Sequence, residues 1–228
     1  MEYIILILVL ILIAILLKVI CKINIKQIMK LGENKELDEK INQYPSNIEV
    51  CKKILNKIGN ESVKIEENKD ASNCLYIVVS NKILIGDVKQ SYTRIQTIAH
   101  ECLHSIQDKT LLMFNFVYSN IYILAFFILA VLNICKVLPF KTMFLSIYIL
   151  MGFVFYFIRS YLENDAMIKA PFLAKEYMEE ENILSKEEIE ETIEEYNKLN
   201  KKGIIATNYG LLLNVLVKTI ILTLIMMI

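Results

Sequence analysis

Residues 97–107 read Thr-Ile-Ala-His-Glu-Cys-Leu-His-Ser-Ile-Gln, and they hold the only two histidines of the 228-residue chain, His100 and His104. Side chains four residues apart lie on one face of a helix, so both imidazoles can bind one metal ion. Glu101 follows the first histidine and is placed to act on a water molecule at that metal. The stretch predicts a metal-binding helix, and the alternative is an ordinary helix with two surface histidines.

The residues around this motif predict a helix from about Ser91 to about Asp108. Its predicted buried face consists of apolar residues at helical spacing, namely Ile95, Ile98, Ala99, Cys102, Leu103 and Ile106. A polar stripe beside that face contains both histidines and Gln107. The histidines are therefore expected to face a cleft rather than lipid, and Cys102 is expected to be a core residue rather than a ligand.

Hydrophobic residues make up 55% of the chain and are concentrated in long blocks, which is typical of a membrane protein. Four blocks are long enough to cross a bilayer: Tyr3–Leu17, Leu111–Cys135, Phe144–Ile158 and Ile204–Ile228. The first block could also be a signal peptide. However, no basic residue precedes it and no small-residue cleavage site follows, so an uncleaved span is favoured.

These blocks divide the chain into five predicted segments. They are a transmembrane helix at 1–21, a cytoplasmic domain with the motif helix at 22–110, a transmembrane hairpin at 111–158, cytoplasmic helices at 159–203 and a last transmembrane helix at 204–228. Lysines are frequent in the two segments assigned to the cytoplasm and absent from both chain ends. The positive-inside rule then predicts a multi-pass protein of the cell membrane with its active site on the cytoplasmic side.

Short patterns predict the elements of the two cytoplasmic segments. Leu75–Val79 and Lys82–Ile85 are rich in β-branched residues and predict a small hairpin. Its outer strand could hold an extended substrate peptide, or the hairpin could be scaffold only. Ser185 and Glu188 form a capping box that opens a helix to about Asn200. The predicted fold class is a mainly α membrane protein with four transmembrane helices and a small cytoplasmic α+β domain of zinc-peptidase type.

The charge and cysteine patterns argue against a nucleic-acid partner, a disulfide framework and a thiolate zinc site. The formal net charge is zero and no basic cluster is interleaved with aromatic residues, so we expect no nucleic-acid partner. The five cysteines are odd in number and widely spaced, without a C-x-x-C pair. They are interpreted as reduced thiols rather than a disulfide framework or a thiolate zinc site.

A catalytic zinc ion takes three protein ligands and one water, and no third histidine exists here. The third ligand is therefore expected to be a carboxylate, or else a thiolate, on the same side of the membrane. Glu163 lies within about a turn of the end of the third span, at a depth like that of the motif helix. That position singles out Glu163, with a juxtamembrane surface carboxylate as the alternative interpretation.

The motif at 97–107, the membrane hairpin after it and the later Glu163-Asn164-Asp165-Ala166 together resemble the YugP-like neutral zinc metallopeptidases of bacteria. The order of elements is similar over nearly the whole chain. The resemblance implies Zn²⁺ bound by His100, His104 and Glu163. It also implies that Asp165 lies next to the ligands and orients one of the ligand imidazoles. This chain departs from the family pattern at Cys102-Leu103, at Asn164 and at Met167. The HtpX-type membrane proteases fit less well, because Met167 stands where they have an aspartate.

These observations predict an integral-membrane zinc metalloendopeptidase with Glu101 as the general base. Tyr209, at the start of the last span, is our candidate for stabilising the oxyanion, with an interfacial anchor as the alternative. The expected partners are a protein or peptide substrate and the lipid bilayer. The alternative function is a non-catalytic membrane scaffold or sensor that retains a structural zinc site.

Overall fold

The structure, a computed structural model, describes residues 1–68, 73–87 and 91–227. It is mostly helical with one small sheet, as predicted. The helices are α1 (Glu2–Ile20), α2 (Ile25–Leu31), α3 (Lys35–Ile41), α4 (Asn47–Lys57), α5 (Arg94–His104), α6 (Lys109–Ile134), α7 (Lys141–Glu181) and α8 (Lys186–Met226). The strands are β1 (Lys64–Asn68), β2 (Leu75–Ile77) and β3 (Lys82–Gly86).

The chain forms two compact units. The first, called here the apolar unit, comprises Met1–Ile23, Phe114–Tyr161 and Ile205–Ile228. The second, called the motif unit, comprises Asn24–Met113 and Leu162–Ile204. Both His100 and Glu163 belong to the motif unit.

Four stretches are long and apolar enough to cross a membrane: Glu2–Leu31, Lys109–Ile134, Lys141–Glu181 and Lys186–Met226. The first of them includes α1, the short loop after it and α2. The packing inside the apolar unit centres on Tyr122 and Tyr148, whose rings stack with centroids 4.7 Å apart. Gly152 permits this close packing, because a Cβ there would lie 2.5 Å from a methyl carbon of Val215. The ammonium of Lys218 lies 5.1 Å from the centroid of the Tyr122 ring, so an aromatic face accommodates this charge.

Helix α7 continues without interruption through Pro171. The sequence predicts a kink or a new start at this proline, because proline lacks the N–H that would bond to the carbonyl four residues earlier. The structure shows no new start. The carbonyl of Met167 instead accepts a hydrogen bond from Nδ2 of Asn200 at 2.8 Å. This amide on α8 replaces the donor that Pro171 lacks.

Helix α8 begins at the predicted capping box and extends further than predicted. Oγ of Ser185 accepts from the N–H of Glu188, and the Glu188 carboxylate accepts from the N–H of Ser185. The helix does not end near Asn200 but continues to Met226, so the predicted fourth span is part of it. Between the two predicted elements Gly203 is the only weak helix former, and one glycine costs about 1 kcal/mol, which does not end a long packed helix.

The three strands form one sheet in the order β1-β3-β2. β2 and β3 pair antiparallel, which confirms the predicted hairpin, and β1 pairs parallel with β3. β2 ends at Ile77 rather than at the predicted Val79, because Val78–Ser80 form a 3-10 helix. Asn81 adopts a φ of 46° just before β3, and asparagine tolerates this left-handed conformation. Ile83 and Ile85 of β3 are buried in the same core as the apolar residues of α4 and α5, so the sheet is anchored to the motif helix.

Candidate metal centre

The motif helix α5 is shorter than predicted, because the chain leaves the α-helical path after His104. The N–H groups of Ser105, Ile106 and Gln107 each bond to the carbonyl three residues earlier. Ile106 is consequently 49% exposed, and its prediction as a buried residue is wrong. The other predicted core positions of the helix are buried, Cys102 among them.

The structure brings His100, His104 and Glu163 together, with their candidate ligand atoms within 4.8 Å of one another. The two Nε2 atoms of the histidines are 3.0 Å apart. Oε2 of Glu163 lies 3.3 Å from Nε2 of His100 and 3.7 Å from Nε2 of His104. Ligands at the usual zinc distances, placed at the corners of a tetrahedron, are about 3.3 Å apart. The three separations therefore bracket the edge of a tetrahedral site.

Glu163 reaches the histidines because α7 packs closely on the core of the motif unit. Ala166, Ala170 and Ala174 follow Glu163 at intervals that place them along one side of α7, and all three are fully buried. They belong to the same buried cluster as Ile98 of α5. Such small side chains allow a helix to approach its neighbour closely.

Gln107 connects the motif helix to α7. Its Nε2 donates to the carbonyl of Leu162 at 2.8 Å and to Oδ2 of Asp165 at 3.0 Å. Because both partners are acceptors, Oε1 of Gln107 must face His104, where it lies 2.8 Å from Nδ1. Nδ1 then carries the proton, and Nε2 of His104 is left with a free lone pair for a metal.

Asp165 therefore contacts Gln107 rather than a histidine. The sequence interpretation places Asp165 directly behind a ligand imidazole, whereas the structure puts the Gln107 amide between them. Asp165 also pairs with Lys169 at 2.6 Å. The sequence places Gln107 in the polar stripe and in the motif that resembles the family, and no local pattern indicates its partners on α7.

Glu101 is 7% exposed, and one of its carboxylate oxygens accepts a hydrogen bond from the N–H of Tyr76 at 2.6 Å. Burial raises the pKa of Glu101 above its usual range. The neighbouring histidines and the Tyr76 N–H act in the opposite direction without cancelling this rise. Tyr76 belongs to β2, so the outer strand of the sheet holds the carboxylate in place through its backbone. Sequence reasoning missed this contact, since a backbone donor leaves no residue signature.

His104 experiences opposing influences. Burial lowers its pKa, but the hydrogen bonds to Glu163 and to Gln107, together with the nearby negative charges, produce a net rise. A proton therefore binds His104 more readily than an ordinary histidine. Protons would compete with a metal ion for this nitrogen.

Two further sequence predictions concern other residues. The thiolate alternative for the third ligand has no support among the described residues, where the only cluster able to hold a metal is the one with Glu163. Sγ of the buried Cys102 lies 3.7 Å from Sγ of Cys51.

Tyr209 belongs to the apolar unit, and its hydroxyl donates to the carbonyl of Ala14 at 3.2 Å. Its role toward an oxyanion stays a prediction.

A comparison with protein-family models found no match, and comparisons with curated proteins and with solved structures found none either. The family resemblance of the motif therefore stays a prediction. The site has to be interpreted from its own geometry.

Proposed function

We propose that this chain is a membrane-integrated zinc peptidase whose zinc is held by His100, His104 and Glu163. The observation that supports this most is the spacing of the three ligand atoms, which suits a tetrahedral ion with one position left for water. Two imidazoles and one carboxylate form the donor set of many hydrolytic zinc sites. A structural zinc site commonly has four protein ligands, and only three are gathered here among the described residues.

Zinc in such a site acidifies water and polarises the carbonyl of a peptide bond. Glu101 would take the proton from the attacking water and deliver it to the leaving amine. Burial suits Glu101 to this task, because a carboxylate with a raised pKa is a stronger base. The N–H of Tyr76 holds one oxygen of Glu101, which restricts the rotation of the carboxylate.

The sheet offers a place for the substrate next to Glu101. β2 is an outer strand, and among the described residues it pairs only with β3. The N–H of Tyr76 points away from that pairing, toward Glu101. An extended peptide lying beside this edge would present its backbone close to the general base. Because the Tyr76 N–H is occupied by Glu101, the peptide would pair with the remaining polar groups of the edge. The proposed substrate class is therefore an unfolded or flexible polypeptide segment that can adopt a strand.

The decisive experiment compares wild type with Glu101→Gln in lipid nanodiscs. Zinc content is measured by mass spectrometry, and cleavage is measured on quenched fluorescent peptides of random sequence. Glu187→Gln, on the capped helix α8, is the matched control. We expect zinc in all three proteins and cleavage in wild type and the control only.

Three other outcomes would count against the proposal. Wild type without zinc after reconstitution would remove the metal centre. Wild type with zinc but without cleavage of any peptide would favour the scaffold or sensor with a structural metal. Cleavage that persists in Glu101→Gln would show that another protein in the preparation is responsible.

A further inference from the structure

Helix α2 starts close to the end of the first apolar helix. α1 ends at Ile20 and α2 begins at Ile25, so only Cys21–Asn24 lie between them. A chain can extend by at most about 17 Å over this interval. Since α1 is apolar enough to cross a bilayer, α2 has to begin within that distance of the point where the chain leaves the membrane.

Helix α2 is well anchored although it buries none of its residues. The side chain of Asn24 accepts from the N–H of Gln27 at 3.1 Å and caps the first turn. The hydroxyl of Tyr92 donates to the carbonyl of Leu31 at 2.6 Å and fixes the last turn. A helix of seven residues is not stable alone in water. The Asn24 cap stabilises its first turn, and the Tyr92 hydroxyl holds its last turn on the motif unit.

The exposed surface of α2 is amphipathic. Ile25 and Met29 lie about 40° apart around the helix axis and are 65% and 63% exposed. Lys26 and Lys30 flank them on one side, and Gln27 lies about 160° from Met29. The helix thus presents two large apolar side chains bordered by two ammonium groups.

Along the chain from Lys18 to Lys30 the charged residues are of one sign only. Lysines recur at every fourth position, namely Lys18, Lys22, Lys26 and Lys30, and no aspartate or glutamate occurs between Glu2 and Glu33. Lysine clusters directly after a membrane span bind anionic lipid headgroups, because the negative surface potential attracts them. The apolar pair is suited to the boundary between headgroups and acyl chains.

We propose that α2 is an interfacial helix that binds the anionic headgroups of the bilayer crossed by α1. Ile25 and Met29 face the acyl chains, and Lys26 and Lys30 contact lipid phosphates. The contact would tether the motif unit to the membrane surface at a second point beyond the span itself. The proposal does not depend on zinc or on peptidase activity.

The chain offers a clean reporter for this contact, because it contains no tryptophan. One tryptophan is introduced by Met29→Trp on the proposed lipid face, and in a second protein by Gln27→Trp on the opposite face. Each full-length protein is reconstituted into vesicles of phosphatidylcholine or of phosphatidylglycerol, with and without bromine on the acyl chains. Emission wavelength and quenching by the brominated lipid are recorded, and Ile25→Trp serves as a second reporter on the lipid face.

We expect Met29→Trp to emit at a shorter wavelength than Gln27→Trp and to be quenched more strongly, most of all in phosphatidylglycerol. Adding Lys26→Gln and Lys30→Gln should weaken adsorption to that surface roughly 30-fold, since each lysine contributes about fivefold. The charge-matched control carries Lys52→Gln and Lys64→Gln on exposed positions of the motif unit and should leave quenching unchanged.

Two results would overturn the proposal. Equal quenching of the lipid-face and opposite-face reporters would show that α2 does not lie in the interface. Quenching of Met29→Trp that is the same in both lipids and insensitive to the lysine substitutions would show that no anionic headgroup is recognised.

Discussion

Substituting Gln107→Ala should weaken zinc binding although Gln107 is not a ligand. The substitution removes the acceptor 2.8 Å from Nδ1 of His104, which keeps the metal-facing nitrogen unprotonated. It also removes both donors to α7, the helix that carries Glu163. Loss of such a partner typically costs 10–100-fold in metal affinity, or about 1.4–2.7 kcal/mol. We expect the larger value, because one amide serves two of the three ligands.

The assay is the zinc dissociation constant, measured by competition with a fluorescent chelator on protein in nanodiscs. Gln43→Ala, an exposed glutamine of the motif unit, is the matched control and should bind zinc like wild type. The visible spectrum of the cobalt-substituted protein reports the ligand geometry. Its change in Gln107→Ala would distinguish a displaced ligand from a general loss of stability.

A substitution pair tests the connection to α7 separately. Gln107→Glu keeps an acceptor for His104 but loses the donors and places a second carboxylate beside Asp165. Adding Asp165→Asn restores one donor across that contact, so the double variant should bind zinc more tightly than Gln107→Glu alone. Asp165→Asn by itself should change little, because its amide oxygen still accepts from Gln107. Equal zinc affinity in wild type and Gln107→Ala would refute this reasoning.

Three further predictions follow from individual contacts. Zinc affinity should fall as the pH drops, and the fall should begin above the usual histidine pKa near 6.5, because the pKa of His104 is raised and protons compete with the metal earlier. Titration of zinc binding against pH measures this fall, and an affinity independent of pH would contradict it. Asn200→Ala should lower stability by about 1–3 kcal/mol, since the half-buried carbonyl of Met167 loses its donor. Adding Pro171→Ala should recover part of that loss in thermal unfolding in detergent, and no recovery would count against the compensation. Arg94→Met should lower the free energy of unfolding by about 3 kcal/mol or more, because the buried guanidinium donates to three backbone carbonyls and one side-chain oxygen. Arg94→Lys should not restore the stability, and a melting temperature like that of wild type in either variant would refute this role of Arg94.

Several elements were predictable because their determinants are local. The period of the apolar residues predicts the motif helix, and the long apolar blocks predict the helices that could cross a membrane. The capping box at Ser185 and the hairpin after Leu75 likewise depend on neighbouring residues, and the structure contains both. The predicted end of the capped helix near Asn200 is wrong. The packing of the helix keeps it continuous there, and no local stop signal is strong enough to end it.

The candidate metal site depends partly on local sequence and partly on contacts between distant parts of the chain. The sequence by itself determined that His100, Glu101 and His104 share one helix, because helical periodicity sets that arrangement within a single turn. For Glu163 the sequence offered a candidate ligand and left a surface carboxylate as the alternative. Only the tertiary structure decided that Glu163 faces these histidines and that Gln107 links the two helices. Those contacts depend on how closely α7 packs against α5. Packing is the sum of many weak contacts between residues that are distant in sequence, and no short stretch of sequence encodes them.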